Sequence, residues 1–254
     1  MSVKHTQQKL FIALLIAMPV HALASGWSYA GQNAPEHWAN IDPTGGSEAC
    51  LAGEAQSPVD VDLHKLAHQP GLAKDLTINY QRSALQLVNN SHSIQANLQP
   101  GNSLIFKGSS YNLVQFHFHT PSEHQFNDKN FPMEMHLVNQ AEDGRLLVMA
   151  VMIKQGEANT ELDHLWKMLP QKAGQAFDIS EPLAPDLAAI LPSNSKHLLY
   201  TGSLTTPPCT EGVQWVLFEQ PIEMSAAQIK AFQQLYADNH RPIKPLNSRQ
   251  VIED

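Results

Sequence analysis

The feature that most constrains the fold is a histidine pair, His117 and His119, within the run Gln-Phe-His-Phe-His at residues 115–119. In a β-strand alternate side chains share a face, so the two imidazoles would project together, about 7 Å apart. The phenylalanines between them would then point into a core. A third histidine, His136, lies in a second apolar run. Antiparallel pairing of the two runs can bring all three imidazoles together.

Three neutral imidazoles without a fourth protein ligand are typical of a catalytic zinc site with an open position. Gln115 and Glu134 each precede a histidine by two residues and so share its face. Such side chains can accept the second ring N–H of a metal ligand and fix its tautomer. The alternative is that these histidines are ordinary core or surface residues, which is the usual role of a lone histidine in an apolar run.

The first 24 residues have the pattern of an export signal. Lys4 and Lys9 precede an apolar run at 10–18 that is too short to span a bilayer, and Ala-Leu-Ala at 22–24 fits a cleavage site. We expect one domain over residues 25–254, in the periplasm or secreted, and not in a membrane once the signal is cleaved.

Cleavage would remove 2 of the 16 basic residues and leave 14 against 24 acidic ones, a net charge of −10. This acidity disfavours nucleic acid and anionic membranes as partners.

The chain has two cysteines, Cys50 and Cys209. In an exported protein an even pair is interpreted first as a disulfide. The alternative is two free, buried thiols. A zinc thiolate role is less favoured, because neither cysteine is near the histidine runs in sequence.

Short apolar runs separated by turns predict a mostly antiparallel sheet. Residues 25–75 are rich in Gly, Pro, Asn and Asp and predict long loops. Apolar residues recur at helical spacing only in 161–169 and 225–236, and the second segment has Ser225 as its N-cap. The predicted fold class is therefore mostly β, a single domain around a central twisted, mostly antiparallel sheet with a few peripheral helices. The predicted strands are 76–80, 85–88, 94–98, 103–106, 113–119, 133–139, 146–153, 197–200 and 213–218.

Several motifs, in this order along the chain, resemble the α-class carbonic anhydrases, particularly the bacterial branch of that family. The resemblance covers nearly all of residues 25–254 and implies a mostly antiparallel sheet with a metal at the base of a conical cleft. The motifs are Trp-Ser-Tyr at 27–29, Gln-Ser-Pro-Val at 56–59, Asn-Asn-Ser-His at 89–92, the two histidine runs, Ser-Glu-His at 122–124, Tyr-Thr-Gly-Ser-Leu-Thr-Thr-Pro-Pro at 200–208 and Asn-Ser-Arg at 247–249.

The resemblance implies Zn²⁺ on His117, His119 and His136, and reversible hydration of carbon dioxide to bicarbonate and a proton by zinc-bound hydroxide. Thr205 would donate its hydroxyl proton to Glu123. A hydroxyl that must donate to a carboxylate can only accept from the attacking oxygen. The enzyme would be a zinc lyase, a carbonate dehydratase.

The resemblance also assigns the substrate pocket and the proton route. Thr206 would line the bicarbonate position, His92 would carry the proton to solvent, and Tyr29 would join the solvent network. An apolar wall beside the metal would hold carbon dioxide and comprises Val138, Val148, Leu204 and Trp215. His124 is interpreted as a structural partner in the core, and His64, His68, His164 and His240 as surface residues.

Two other functions remain as alternatives. A different zinc hydrolase would use the same metal, but such enzymes tend to carry His-Glu-x-x-His, which this sequence lacks. A zinc-binding or zinc-delivery protein would need exposed histidine-rich loops, and none is present. Bacterial members of the resembled family are often homodimers, so a homodimer is a further expectation.

Overall fold

The computed structural model describes residues 26–41, 46–69, 71, 75–193 and 196–253. The predicted export signal lies outside the described residues. Strands dominate the described part of the chain. They are β1 Asp60–Val61, β2 Ala67–His68, β3 Leu76–Asn79, β4 Leu85–Asn89, β5 Ile94–Leu98, β6 Ser103–Phe106, β7 Ser109–His119, β8 Gln125–Phe126, β9 Met133–Gln140, β10 Leu146–Gln155, β11 Ala176–Ile179, β12 His197–Ser203, β13 Glu211–Met224 and β14 Ile252–Glu253.

The helices are short. They are α1 Ala49–Ala52, α2 Asp163–Lys167, α3 Leu187–Ile190 and α4 Ala226–Gln233, with 3-10 helices at Gly31–Asn33, Pro35–Asn40 and Glu181–Leu183. The predicted cap of α4 is confirmed, because Ser225 Oγ accepts a hydrogen bond from Gln228 N and the Gln228 side chain accepts one from Ser225 N. Among the described residues, no helix combines the length and apolar character that a membrane span requires.

Twelve strands form one sheet in the order β11-β4-β5-β7-β9-β10-β13-β12-β14-β2, with β6 beside β7 and β3 beside β6. All pairs are antiparallel except β10–β13 and β14–β2. Strands β1 and β8 form a separate parallel pair. The predicted fold class is thus confirmed. The strand pattern did not predict that β10 and β13, in the middle of the sheet, are parallel.

The sheet buries apolar side chains on both faces. On one face, the larger core packs against α2, α3 and α4, which contribute Leu165, Leu187 and Phe232. On the other face, a smaller cluster includes Ala150 of β10 and Trp215 of β13. The predicted ligand histidines lie on this second face.

A β-bulge at Val114 determines which face the histidines of β7 occupy. Leu113 pairs with Asn139 of β9, whereas Gln115 pairs with Val138, so Val114 is an extra residue. Odd-numbered side chains of β7 face the larger core before the bulge, and even-numbered ones face it afterwards. Strict alternation through the predicted strand 113–119 would have placed Leu113 on the histidine face. The bulge therefore lets one strand fill the core and also present the two imidazoles.

Strand β13 extends well beyond the predicted segment 213–218. Its continuation contains Pro221, which cannot donate a ladder hydrogen bond. The register shifts there, because Val151 pairs with Phe218 while Ile153 pairs with Ile222. A proline is tolerated at such an irregularity, and the strand continues past it.

The predicted disulfide joins Cys50 of α1 to Cys209, which follows β12, across a sequence separation of 159. This prediction is confirmed. Both cysteines are buried and pack against Trp38, which is fully buried. The N-terminal region, predicted as long loops with little regular structure, forms α1 and two 3-10 helices around this small cluster.

Candidate metal centre

Strand register brings the three predicted ligands together. His117 of β7 lies directly opposite His136 of β9, and His119 lies opposite Glu134. The ring centroids are 5.0 Å apart for His117–His119, 5.3 Å for His117–His136 and 4.6 Å for His119–His136. One nitrogen from each ring lies within 4.8 Å of the others. The three side chains can therefore hold one metal ion.

Each of these rings also has its second nitrogen hydrogen-bonded to an oxygen of the protein. A neutral imidazole that donates on one side presents a lone pair on the other. The nitrogens left for a metal are therefore Nε2 of His117, Nε2 of His119 and Nδ1 of His136. The outward bonds run from His117 Nδ1 to Gln115 Oε1 at 2.8 Å, from His119 Nδ1 to Asn239 O at 2.7 Å and from His136 Nε2 to Glu134 Oε1 at 2.7 Å.

The inward nitrogen of His119 is buried and has no hydrogen-bond partner among the described residues. An unpartnered buried polar atom is rare, and a metal ion at this position would satisfy it. Burial, reinforced by the other imidazoles, lowers the pKa of His117 well below its usual value, and burial also lowers the pKa of His119. These two pKa values favour the neutral form that metal binding requires, whereas Glu134 outweighs burial and raises the pKa of His136.

The carboxylate of Glu134 is fully buried and ionised. Burial alone would raise its pKa, but His124 and His136 outweigh that effect and hold the pKa well below the usual value. Its Oε1 pairs with His124 Nδ1 at 2.7 Å, and its Oε2 accepts from the His124 backbone at 2.8 Å. His124 Nε2 lies 2.6 Å from the Tyr200 hydroxyl, which lies 2.8 Å from Ser57 Oγ. As expected, His124 is a core partner, and this chain fixes the His136 ring from behind.

Removing the carboxylate should weaken metal retention. We expect Glu134→Ala to lower metal affinity by about 10- to 100-fold, because His136 loses the acceptor that sets its tautomer and orientation. Competition with a chromophoric chelator measures this affinity. Tyr80→Phe is the matched control, since it removes a buried 2.6 Å bond to Asn139 on the same strand without touching a ligand. Equal affinity in Glu134→Ala and the control would contradict the orienting role.

Glu123 is fully buried beside the imidazoles, with its Oε1 3.6 Å from His119 Nδ1. This oxygen accepts a hydrogen bond from Arg241 N at 2.8 Å, whereas Oε2 is buried without a hydrogen-bond partner among the described residues. The expected hydrogen bond from Thr205 is therefore not formed in this geometry, although Thr205 is buried in the loop after β12. Burial, followed by the charge of Glu123, raises the pKa of Tyr29 well above its usual value. Tyr29 is thus neutral and close to the site.

Arg241 also belongs to this region, although no sequence motif predicted it. Its guanidinium is fully buried and donates to Ser57 O at 2.7 Å and Cys50 O at 2.9 Å. Burial lowers its pKa to about 10, so it remains charged at neutral pH. These partners lie more than 180 residues away in the sequence, so no local pattern could have revealed the contacts.

The four predicted pocket residues occur in one apolar cluster on the histidine face of the sheet. Trp215 is buried, its ring lies 5.0 Å from that of His136, and its indole N–H donates to Ser203 O at 3.0 Å. Thr206 is half-buried in the loop after β12. The structure thus places apolar surface beside the imidazoles. The clustered residues are Val138, Val148, Leu204 and Trp215.

His92 is half-buried in the turn between β4 and β5. Its imidazole stacks on the indole of Trp27, with ring centroids 3.6 Å apart and an interplanar angle of 10°. Burial lowers the pKa of His92 from its usual value. A neutral, partly accessible imidazole at this position can accept a proton.

Of the four histidines expected at the surface, His64 and His68 are exposed, but His164 and His240 are half-buried. The reason differs between the two. His164 lies in α2 and has its Nε2 buried, and His240 places Nδ1 2.6 Å from Asp238 Oδ1.

Comparisons with known proteins identify the family of this chain. The family model described as eukaryotic-type carbonic anhydrase matches residues 33–254. The carbonic anhydrase of Pectobacterium carotovorum is 38% identical over 249 residues, covering 96% of this chain and 98% of that protein. A carbonic anhydrase of Nostoc sp. is 39% identical over 239 residues, covering 94% of this chain and 89% of that protein.

A solved structure is also similar across the chain. The α-carbonic anhydrase of Thermovibrio ammonificans, in complex with the inhibitor sulfanilamide, has a TM-score of 0.84 and 37% identity, covering 90% of this chain and 99% of that chain. The chain therefore belongs to the eukaryotic-type, or α-class, carbonic anhydrase family and is a lyase of the carbonate dehydratase type.

Proposed function

We propose that this protein catalyses the reversible hydration of carbon dioxide to bicarbonate and a proton, with Zn²⁺ held by His117, His119 and His136. The observation that carries the proposal is the set of three inward nitrogens, each with its opposite ring nitrogen bonded to a protein oxygen. A three-histidine donor set suits a catalytic zinc with an open position. When bound, Zn²⁺ supplies a water whose pKa is lowered to about 7, the value general to carbonic anhydrases.

Glu123 and Thr205 would orient the nucleophile. The unpartnered Oε2 of Glu123 is a buried acceptor, and it suits the hydroxyl proton of Thr205. Once Thr205 donates to a carboxylate, its oxygen can only accept a hydrogen bond from the attacking oxygen. This arrangement would direct the lone pair of that oxygen at the carbon. Thr206, one residue further along the same loop, would line the bicarbonate position.

The apolar cluster would bind carbon dioxide. Carbon dioxide is neutral and lacks strong hydrogen-bonding groups, so it suits a wall formed by Val138, Val148, Leu204 and Trp215. Bicarbonate is charged and strongly hydrated, so the same wall would favour its release. The pocket would thereby distinguish substrate from product by polarity.

His92 would carry the released proton to solvent. Each hydration cycle leaves a proton at the site, and water alone is a poor acceptor. A histidine titrates close to neutral pH and can pass the proton to buffer. The half-buried position of His92 gives it contact with the protein interior and with solvent.

The test of the function is a carbon dioxide hydration assay on the purified protein with and without a zinc chelator. We expect rapid hydration that the chelator abolishes. A protein that binds zinc but does not hydrate carbon dioxide would instead support a zinc-binding or zinc-delivery role. Hydrolysis of other substrates without hydration would support a different zinc hydrolase.

Replacing His92 should slow proton release without affecting hydration. We expect His92→Ala to lower kcat severalfold in weak buffer, with little change in kcat/KM, because carbon dioxide attack is untouched. Concentrated imidazole should restore much of the loss. An unchanged kcat in weak buffer would mean that the proton leaves by another route.

We also propose that residues 1–24 are a cleaved export signal and that residues 25–254 form the catalytic domain. The buried disulfide supports an oxidising compartment, since such bonds persist outside the cytosol. The periplasm is the proposed location, with secretion as the alternative. A homodimer stays a prediction, which the molar mass of the purified protein in solution would test.

A further inference from the structure

Asn239 is fully buried in the segment after α4 and contacts the end of β7 through its backbone and side chain. Its carbonyl oxygen accepts the Nδ1–H of His119 at 2.7 Å. Its backbone N–H donates to Thr120 O at 3.0 Å, and its Oδ1 accepts from Thr120 N at 2.7 Å. The residue is thus fixed against the strand end that carries a proposed metal ligand.

The remaining polar atom of Asn239 reaches the turn that carries His92. Its Nδ2 donates to His92 O at 3.0 Å and to Phe118 O at 3.0 Å. Phe118 lies between the two ligand histidines of β7. One planar amide therefore joins the backbone of the proposed proton carrier to the peptide between two proposed ligands.

Other contacts shape the turn and also hold it against β7. Asn90 Oδ1 accepts from His92 N at 3.0 Å and from Ser93 N at 2.8 Å. Ser93 Oγ also binds the backbone of Phe118, accepting from its N at 3.3 Å and donating to its O at 2.5 Å. Neither Asn90 nor Ser93 hydrogen-bonds to a ligand imidazole in the described structure, whereas Asn239 does.

We propose that Asn239 is a positioning residue for proton transfer, whose side chain, together with Ser93, holds the His92 turn against the strand that carries two of the metal ligands. The inference rests on the proposed function and adds to it. Transfer of a proton through ordered water depends steeply on the separation and alignment of donor and acceptor. An amide suits this role because its single nitrogen provides two donors, one for each carbonyl.

Two variants separate the donor role from general packing. Asn239→Ala removes all side-chain bonds, and Asn239→Asp keeps an acceptor for Thr120 N but removes the donors to His92 O and Phe118 O. The backbone bond to His119 is retained in both. Tyr80→Phe is the control, because it loses one buried hydrogen bond remote from the turn.

The measurement is oxygen-18 exchange between carbon dioxide and water on the zinc-loaded protein, which gives the hydration rate and the proton-dependent rate separately. We expect both variants to lower the proton-dependent rate by about 3- to 10-fold and to lower it more than they lower the hydration rate, because the donor to the His92 turn is lost whereas the backbone bond that orients His119 remains. Concentrated imidazole should restore the loss. The control should match the unmodified protein.

The outcomes distinguish this inference from the assignments on which it depends. Absence of hydration in the unmodified protein would refute the proposed function. An unaffected His92→Ala would refute the proton carrier. If His92→Ala slows proton release but Asn239→Ala and Asn239→Asp do not, the positioning role is wrong. A parallel fall in both rates in both variants would also overturn it, because that pattern marks damage to the metal site. If the Asp variant does not fold, the Ala variant alone decides between these results.

Discussion

His136→Ala is expected to remove most of the bound zinc and to lower carbon dioxide hydration by at least about a thousandfold, since the metal supplies several kcal/mol of the catalytic effect. Two imidazoles would remain, and Glu134 would keep its bonds to His124. The fold should persist, because β9 remains paired with β7 and β10 along its length. Zinc content by atomic emission and hydration by stopped flow measure the two effects, and circular dichroism checks the fold.

His64→Ala is the matched control, since it removes an exposed imidazole outside the site. It should retain zinc and activity. Full hydration by a metal-free preparation of His136→Ala would refute the assignment of the metal site. If His136→Ala does not fold, His117→Ala provides the same test, because His117 is less buried than His136.

Loss of the disulfide is expected to destabilise the protein by about 2–5 kcal/mol. The bond joins residues 159 positions apart in the sequence, so its removal frees much of the unfolded chain. We expect Cys50→Ala combined with Cys209→Ala to lower the free energy of unfolding by this amount in urea titrations. The denatured, unreduced natural protein should show no free thiol.

Reducing agent provides the control for the disulfide prediction. It should lower the stability of the natural protein towards that of the double variant, and it should leave the double variant unchanged. Two titratable thiols in the freshly purified protein would contradict the bridge. Equal stability of the reduced and oxidised protein would contradict its stabilising role.

The metal ligands could be predicted because their signal is local. Alternation within 115–119 places His117 and His119 on one face whatever the rest of the chain does. The apolar run around His136 supplied the third ring, and the strand register then placed it opposite His117. Ser225 was predictable for the same reason, since a cap and its partner Gln228 are three residues apart.

Other features depend on contacts between distant segments. No residue pattern identifies Val114 as an extra residue, because the bulge arises from how β7 pairs with β9. Arg241 and Asn239 follow a surface helix and resemble ordinary loop residues in the sequence. Their burial arises because the C-terminal segment packs against the strand end at Thr120 and the loop at Ser57. The strands missed by the sequence analysis were short or edge segments, whose apolar pattern is weak.

Titration of metal-free protein with Zn²⁺ tests the central claim most directly. We expect carbon dioxide hydration to be absent before zinc is added, to rise in proportion to the zinc added, and to level off at about one zinc per chain, as a single three-histidine site requires. His117→Ala should show no such rise under the same conditions. Hydration that is independent of added zinc, or that rises equally in His117→Ala, would contradict the assignment of the reaction to this site.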